Sequence, residues 1–204
     1  MRSIKIDLIF LLLKMTEYKE ELIKALKSID GIYFQRNERD FSYEFYHQLR
    51  CIKLDIDITS ETPKYTYRIK EKLIKNSFFI KYFFRNENSN APLYTYNRRP
   101  DLLFHEYENK NRQILACEIK PLSKNNELIC KDISKLLYYT NSDLSYKYGV
   151  LILFTQNDND RKLNQLKNKY QKVLIEFPQI EIWIAYPNRI HIIWAEGSTC
   201  NEIC

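Results

Sequence analysis

Arg98-Arg99-Pro100-Asp101-Leu102-Leu103-Phe104-His105 and Ile114-Leu115-Ala116-Cys117-Glu118-Ile119-Lys120-Pro121 are two short apolar runs joined by a polar linker, Glu106 to Arg112. They read as a hairpin that carries charge into an apolar setting. With Glu108-Asn109-Lys110-Asn111 as the turn, antiparallel pairing sets Asp101 opposite Glu118 and Arg99 opposite Lys120. Directly opposed residues share a face of the sheet, so two carboxylates and a lysine converge. Leu102, Phe104, Leu115, Cys117 and Ile119 make the other face apolar, and Leu103, Ala116 and Ile114 add apolar groups to the carboxylate face. A strand pair apolar on both sides is a central pair, covered on both sides. Two ionised carboxylates facing each other there cost several kcal/mol unless a cation lies between them, and a hard divalent metal suits oxygen donors of this kind.

An aspartate, then Glu-x-Lys across a hairpin, with a glutamate on the preceding helix, resembles the PD-(D/E)xK nuclease superfamily and its restriction-endonuclease-like core. The residues that carry the likeness are Pro100-Asp101, Glu118-Ile119-Lys120 and Glu44 within Phe41 to Leu49, and the match covers roughly residues 38 to 155. Glu-x-Lys alone says little in a lysine-rich chain, because Glu17/Lys19 and Glu108/Lys110 have the same spacing. Only Glu118/Lys120 lies in an apolar strand with a Pro-Asp strand opposite, and that context gives the motif its meaning.

The resemblance implies an α/β fold: a central mixed β-sheet flanked by helices, with an N-terminal helical extension. It implies a metal-dependent nuclease that hydrolyses phosphodiester bonds of DNA, with restriction, phage defence or repair as settings. Asp101 and Glu118 would hold Mg2+ or Mn2+ together with the Ile119 backbone carbonyl, Lys120 would position the attacking water, and Glu44 would complete the site. The alternative is a catalytically silent member of the same fold that binds nucleic acid or a partner protein. For Asp101 and Glu118 themselves, the competing role is a structural ion-pair cluster with Arg99 and Lys120. RNA is not excluded as a substrate, and a homodimer is compatible with the sequence.

At 204 residues with a formal charge of +6, the chain suits one nuclease-like domain with a sizeable core and permits a polyanionic partner. Residues 1–37 form the extension, 38–155 the core, and 156–204 a helix followed by a sheet-extending hairpin. Three glycines and no Gly-rich loop argue against a P-loop or dinucleotide fold. Cys51, Cys117, Cys130, Cys200 and Cys204 show no zinc-ligand spacing and suit a reducing cytoplasm, and Cys117 reads as a small core residue. The apolar run Leu8 to Leu13 is too short to span a bilayer, so no membrane partner is expected, and Met15 is an alternative start.

Apolar spacing predicts helices at about 16–29 and 38–52. The stripe of the second is Phe41, Phe45, Leu49 and Ile52, with Glu44 and Gln48 on its border. Residues 55–97 should supply a first strand beside the hairpin, without showing which segment does so. Further on, 127–140 is helical with Leu128, Ile129, Ile133, Leu136 and Leu137 inward, 148–154 is a strand and 160–174 a helix. Residues 179–186 and 189–195 form a second hairpin. Arg98, Arg99, Lys124, Lys131 and Lys135, with Arg50 and Lys53, are candidates to grip a phosphate backbone. His105, on the Asp101 face, reads as a sheet histidine.

Overall fold

The computed structural model describes residues 18–52, 56–60, 71–83, 100–105, 113–142, 144–157, 160–193 and 201–203. Its order is α1 (residues 18–27), a 3-10 turn at Gly31–Gln35, α2 (Glu38–Cys51), β1 (Asp57–Ser60), α3 (Glu71–Ile74) and α4 (Ser77–Phe83). There follow β2 (Leu102–His105), β3 (Gln113–Pro121), α5 (Asn126–Thr140), β4 (Tyr148–Phe154), α6 (Asp160–Glu176), β5 (Ile180–Tyr186), β6 (Arg189–Ile193) and β7 (Asn201–Ile203). The strands make one sheet in chain order, β1 to β7. β3, β4 and β5 run parallel, whereas β1 and β2 on one side and β6 and β7 on the other pair antiparallel. This is the mixed, helix-flanked α/β sheet with an N-terminal helix that the hairpin reading requires. β1 is the strand that residues 55–97 were expected to contribute, and α3 and α4 share that region with it.

Two apolar layers cover the sheet. On one face α1 and α2 bury Leu22, Leu26, Phe41, Phe45 and Leu49 against Leu102, Phe104, Leu115, Cys117 and Ile119. Phe41 stacks on Phe154 with ring centroids 4.0 Å apart. On the other face α5 and α6 bury Ile129, Ile133, Leu136, Leu166 and Tyr170 against Leu103, Ala116, Leu151 and Leu153. Coverage on both faces explains why β3, β4 and β5 are nearly continuous apolar runs rather than alternating ones. The β3–α5–β4 and β4–α6–β5 crossovers place both helices on one face, and Gly149 lets α5 lie close to β4. A Cβ there would meet Leu136 Cβ at 3.0 Å and Ile180 Cδ1 at 2.7 Å.

The hairpin register is that of the sequence, with Leu102 paired to Cys117 and Leu103 to Ala116. One irregularity enters at Phe104/His105, where His105 pairs with Gln113. The shift turns Ile114 to the α1/α2 layer instead of the carboxylate face, a correction to the strict alternation expected. Leu128, expected inward on α5, is at the surface.

Candidate active site

Each helix that frames the site begins on a side-chain cap. The Asn37 side chain accepts from the Asp40 amide to start α2, and Asn125 accepts from Leu128 to start α5. The α2 cap makes Glu38 the first helical residue, where a carboxylate complements the helix dipole. Glu38 then reaches the end of β3, and its carboxylate is 2.5 Å from the Lys120 ammonium.

Asp101 lies immediately before β2, one residue beyond the last rung of the ladder, Leu102 to Cys117. Its Oδ2 accepts a 2.6 Å hydrogen bond from the Ile119 amide, so the side chain substitutes for the backbone partner that β3 would otherwise find in β2. The N–H and C=O of one strand residue leave by the same edge, which directs the Ile119 carbonyl to the edge that Asp101 occupies. Lys120 Nζ is 3.9 Å from Asp101 Oδ2.

Glu118 is completely buried. Its Oε2 accepts from Lys135 Nζ at 2.7 Å, and the same ammonium is 2.7 Å from Asp132 Oδ1 one turn earlier on α5. Asp132, only 3% exposed, turns its second oxygen towards Lys120 at 3.9 Å. The result is one polar cluster at the carboxyl end of β3, in which Glu38, Asp101, Glu118 and Asp132 face Lys120 and Lys135. In parallel α/β sheets this end of the strands is where ligands bind.

Burial pushes the Glu118 carboxyl well above the usual glutamate range, against the opposing pull of Lys135, and the charges of Asp101 and Asp132 push the same way. Burial also raises Asp101, opposed by Lys120 and the Ile119 amide. For Lys120 and Lys135 burial acts to lower the pKa, but the surrounding carboxylates outweigh it and hold both ammonium groups above the ordinary lysine value. Burial raises the Cys117 thiol well above its usual range, in keeping with a packing role.

Asp101, Glu118, Lys120 and Lys135 are thus brought together. Glu44 is half-buried on α2, where its carboxylate accepts a 2.6 Å hydrogen bond from Gln48. Lys131 pairs with Glu127 at 3.6 Å and Lys124 is exposed. Arg98 and Arg99 lie outside the described residues, so the expected Arg99–Lys120 opposition does too. His105 is a buried sheet residue with its ring 3.1 Å from the Thr59 hydroxyl.

Glu38 and Asp132 join the cluster without having been singled out in the sequence, yet both carry a signal. The α2 stripe of Phe41, Phe45 and Leu49 extends back by three residues onto Glu38, and Asp132 occupies the inward row of α5 between Ile129 and Leu136. A charge in a buried row needs a partner.

Among the described residues no three His, Cys, Asp or Glu side chains form a ready metal cage. The donor chemistry nonetheless fits a hard divalent ion. Mg2+ takes one or two carboxylates and completes its shell with water and substrate phosphate oxygens. Glu118 Oε1 and Asp132 Oδ2 are buried and have no hydrogen-bond partner among the described residues. A buried acceptor left in that state costs about 1–3 kcal/mol, and among the described residues four carboxylates here face two ammonium groups.

Over 184 aligned residues the chain is 29% identical to the RecBCD enzyme subunit RecB of Borreliella burgdorferi. The alignment covers 79% of this chain but 15% of that protein. No protein-family model matches the chain, and no solved structure matches it. No helix among the described residues is long and apolar enough to cross a membrane.

Proposed function

We propose that this protein is a metal-dependent nuclease that hydrolyses phosphodiester bonds of DNA, as an endonuclease in restriction, phage defence or repair. The observation that carries the reading is the joint placement of Asp101, Glu118 and Lys120 at the open end of β2 and β3, inside a cluster with more carboxylates than cations among the described residues. Asp101, Glu118 and the Ile119 carbonyl would hold Mg2+ or Mn2+. Once bound, the ion would neutralise charge on the scissile phosphate and lower the pKa of a water molecule. The Ile119 amide fixes the Asp101 carboxylate, and Lys135 fixes that of Glu118. Glu38 holds the Lys120 ammonium beside Asp101, where it can steady the attacking hydroxide as the phosphorus–oxygen bond breaks. Glu44, two turns along the same helix, is the alternative α2 carboxylate.

A polyanionic substrate also suits the surface. Between Arg161 and Ile175, α6 carries Arg161, Lys162, Lys167, Lys169 and Lys172 and no acidic residue. Arg98, Arg99, Lys124 and Lys131 are the further candidates for phosphate contact. The relative named above is an enzyme subunit, which favours a catalytic role over a purely structural one.

A second reading, a catalytically silent DNA- or partner-binding protein, draws on Lys135: it already neutralises part of the Glu118 charge. Nicking of supercoiled plasmid separates the two. Cleavage that needs Mg2+ or Mn2+, stops with chelator and falls by about 100-fold or more in Lys120→Ala and Asp101→Asn supports the nuclease. Activity unchanged in both variants rules out this site, and plasmid binding without nicking under every metal condition selects the silent protein.

A further inference from the structure

We infer that Asp132 is a third carboxylate of the metal site and that Lys135 is its built-in counter-ion, competing with a divalent cation for Glu118. This rests on the metal-site reading above and adds two residues of α5 to it. Asp132 and Lys135 are three residues apart on one helix, so both project from the same side of α5 onto β3. The Lys135 ammonium lies 2.7 Å from one oxygen of Glu118 and 2.7 Å from one oxygen of Asp132. A lysine seated between two buried carboxylates holds the position and charge sign that a metal ion would hold.

A finished structural ion pair would satisfy the carboxylates, and this one does not. Among the described residues Glu118 Oε1 and Asp132 Oδ2 have no hydrogen-bond partner, though their residues are 0% and 3% exposed. Buried acceptors are partnered in the great majority of cases, so two open ones in a single cluster point to a ligand. Asp132 turns its open oxygen into the cluster, 3.9 Å from Lys120. The ligand must be cationic and hard, since the open atoms are carboxylate oxygens. Mg2+, Mn2+ and Ca2+ meet both conditions. A cation that takes Glu118 leaves Lys135 paired with Asp132, so the ammonium need not enter the apolar layer when it is displaced.

The test is divalent-ion binding to the intact chain by calorimetry, with Mn2+ and Ca2+ as probes and no nucleic acid present. Lys135→Met and Lys135→Gln remove the competing charge, and each should bind Mn2+ about tenfold more tightly or better. Asp132→Asn keeps the shape and should bind about 10–100-fold more weakly, the range for loss of a supporting carboxylate. On the wild-type protein, addition of Ca2+ should shift the Lys135 ammonium resonance in side-chain NMR, assigned through its connection to the α5 backbone. That measurement stands if a variant fails to fold. Equal affinity in wild type and the Lys135 variants, or a lysine spectrum indifferent to Ca2+ when the ion binds, overturns the inference and leaves the Asp101–Glu118 site intact. Wild-type protein that binds neither ion at millimolar concentration overturns the metal-dependent function and this inference together.

Discussion

Replacing Glu118 by Gln should stabilise the metal-free protein, by an amount that grows with pH. The carboxyl is fully buried, and burial raises its pKa well above the value of 4.5 that it has when free. A carboxyl with a higher pKa folded than unfolded takes up a proton on folding between the two values. Its contribution is therefore greatest below the unfolded pKa and is lost as pH rises through the folded one. Each pH unit inside that window costs up to about 1.4 kcal/mol. Gln resembles the protonated side chain in shape and cannot ionise, so the two proteins should have nearly equal stability at pH 4.5 and diverge above it. Lys135 limits the divergence because it favours the ionised form, whereas Asp101 and Asp132 enlarge it. The expected gain for the variant is about 1–3 kcal/mol at pH 7, against the 3–5 kcal/mol loss that follows when a buried ion pair is broken and a charge left alone. Lys135 is not left alone, since Asp132 remains 2.7 Å away. Urea unfolding with chelator at pH 5, 6 and 7 gives the difference directly, and other titrating groups cancel between the two proteins to first order. Parallel stability curves, or a variant weaker than wild type at pH 7, would refute the reasoning by showing that Lys135 fully compensates the buried charge.

Glu38→Gln should lower plasmid nicking more than Glu44→Gln does, because Glu38 contacts Lys120 and Glu44 contacts Gln48. Equal losses, compared under one metal condition, would place both or neither at the site. Lys19→Met should cost about 1–3 kcal/mol in urea unfolding, since buried Glu181 would lose its ammonium partner and keep the 2.9 Å bond from the Trp183 indole; no change would mean that water reaches that carboxylate. Gly149→Ala should cost about 1–3 kcal/mol by overpacking α5 on β4, read as a lower urea midpoint at unchanged slope, and a neutral result would show that Leu136 can yield.

The hairpin was legible because two independent patterns agree on it. Apolar runs on both sides of Asp101 and Glu118 demanded a covered central strand pair, and the spacing around residues 108–111 fixed which residues oppose. A register error of one would have moved every side chain to the wrong face, so the pairing of Leu102 with Cys117 is informative beyond its single rung. The bulge at Phe104/His105 left no such trace. It redirects only Ile114, and an apolar residue is acceptable on either face of a sheet buried on both.

Charged positions were harder to read than strands, for a reason rooted in how side chains reach. Glu44 borders the α2 stripe and has a plausible direction, but a bordering position does not say which turn of the helix meets the end of β3. The end of α2 near β3 is its first turn, where Glu38 stands. Lys135 was expected to grip a phosphate backbone, because a lysine on an amphipathic helix normally keeps its ammonium at the surface. What reverses that default is Asp132, three residues earlier in the inward row. A carboxylate that cannot reach water draws the nearest ammonium in after it, and the pair then meets Glu118 across the α5–β3 packing. Buried acid and borrowed lysine are therefore one feature of the sequence, legible only when the helix is read for charges among its apolar positions as carefully as for the apolar positions themselves.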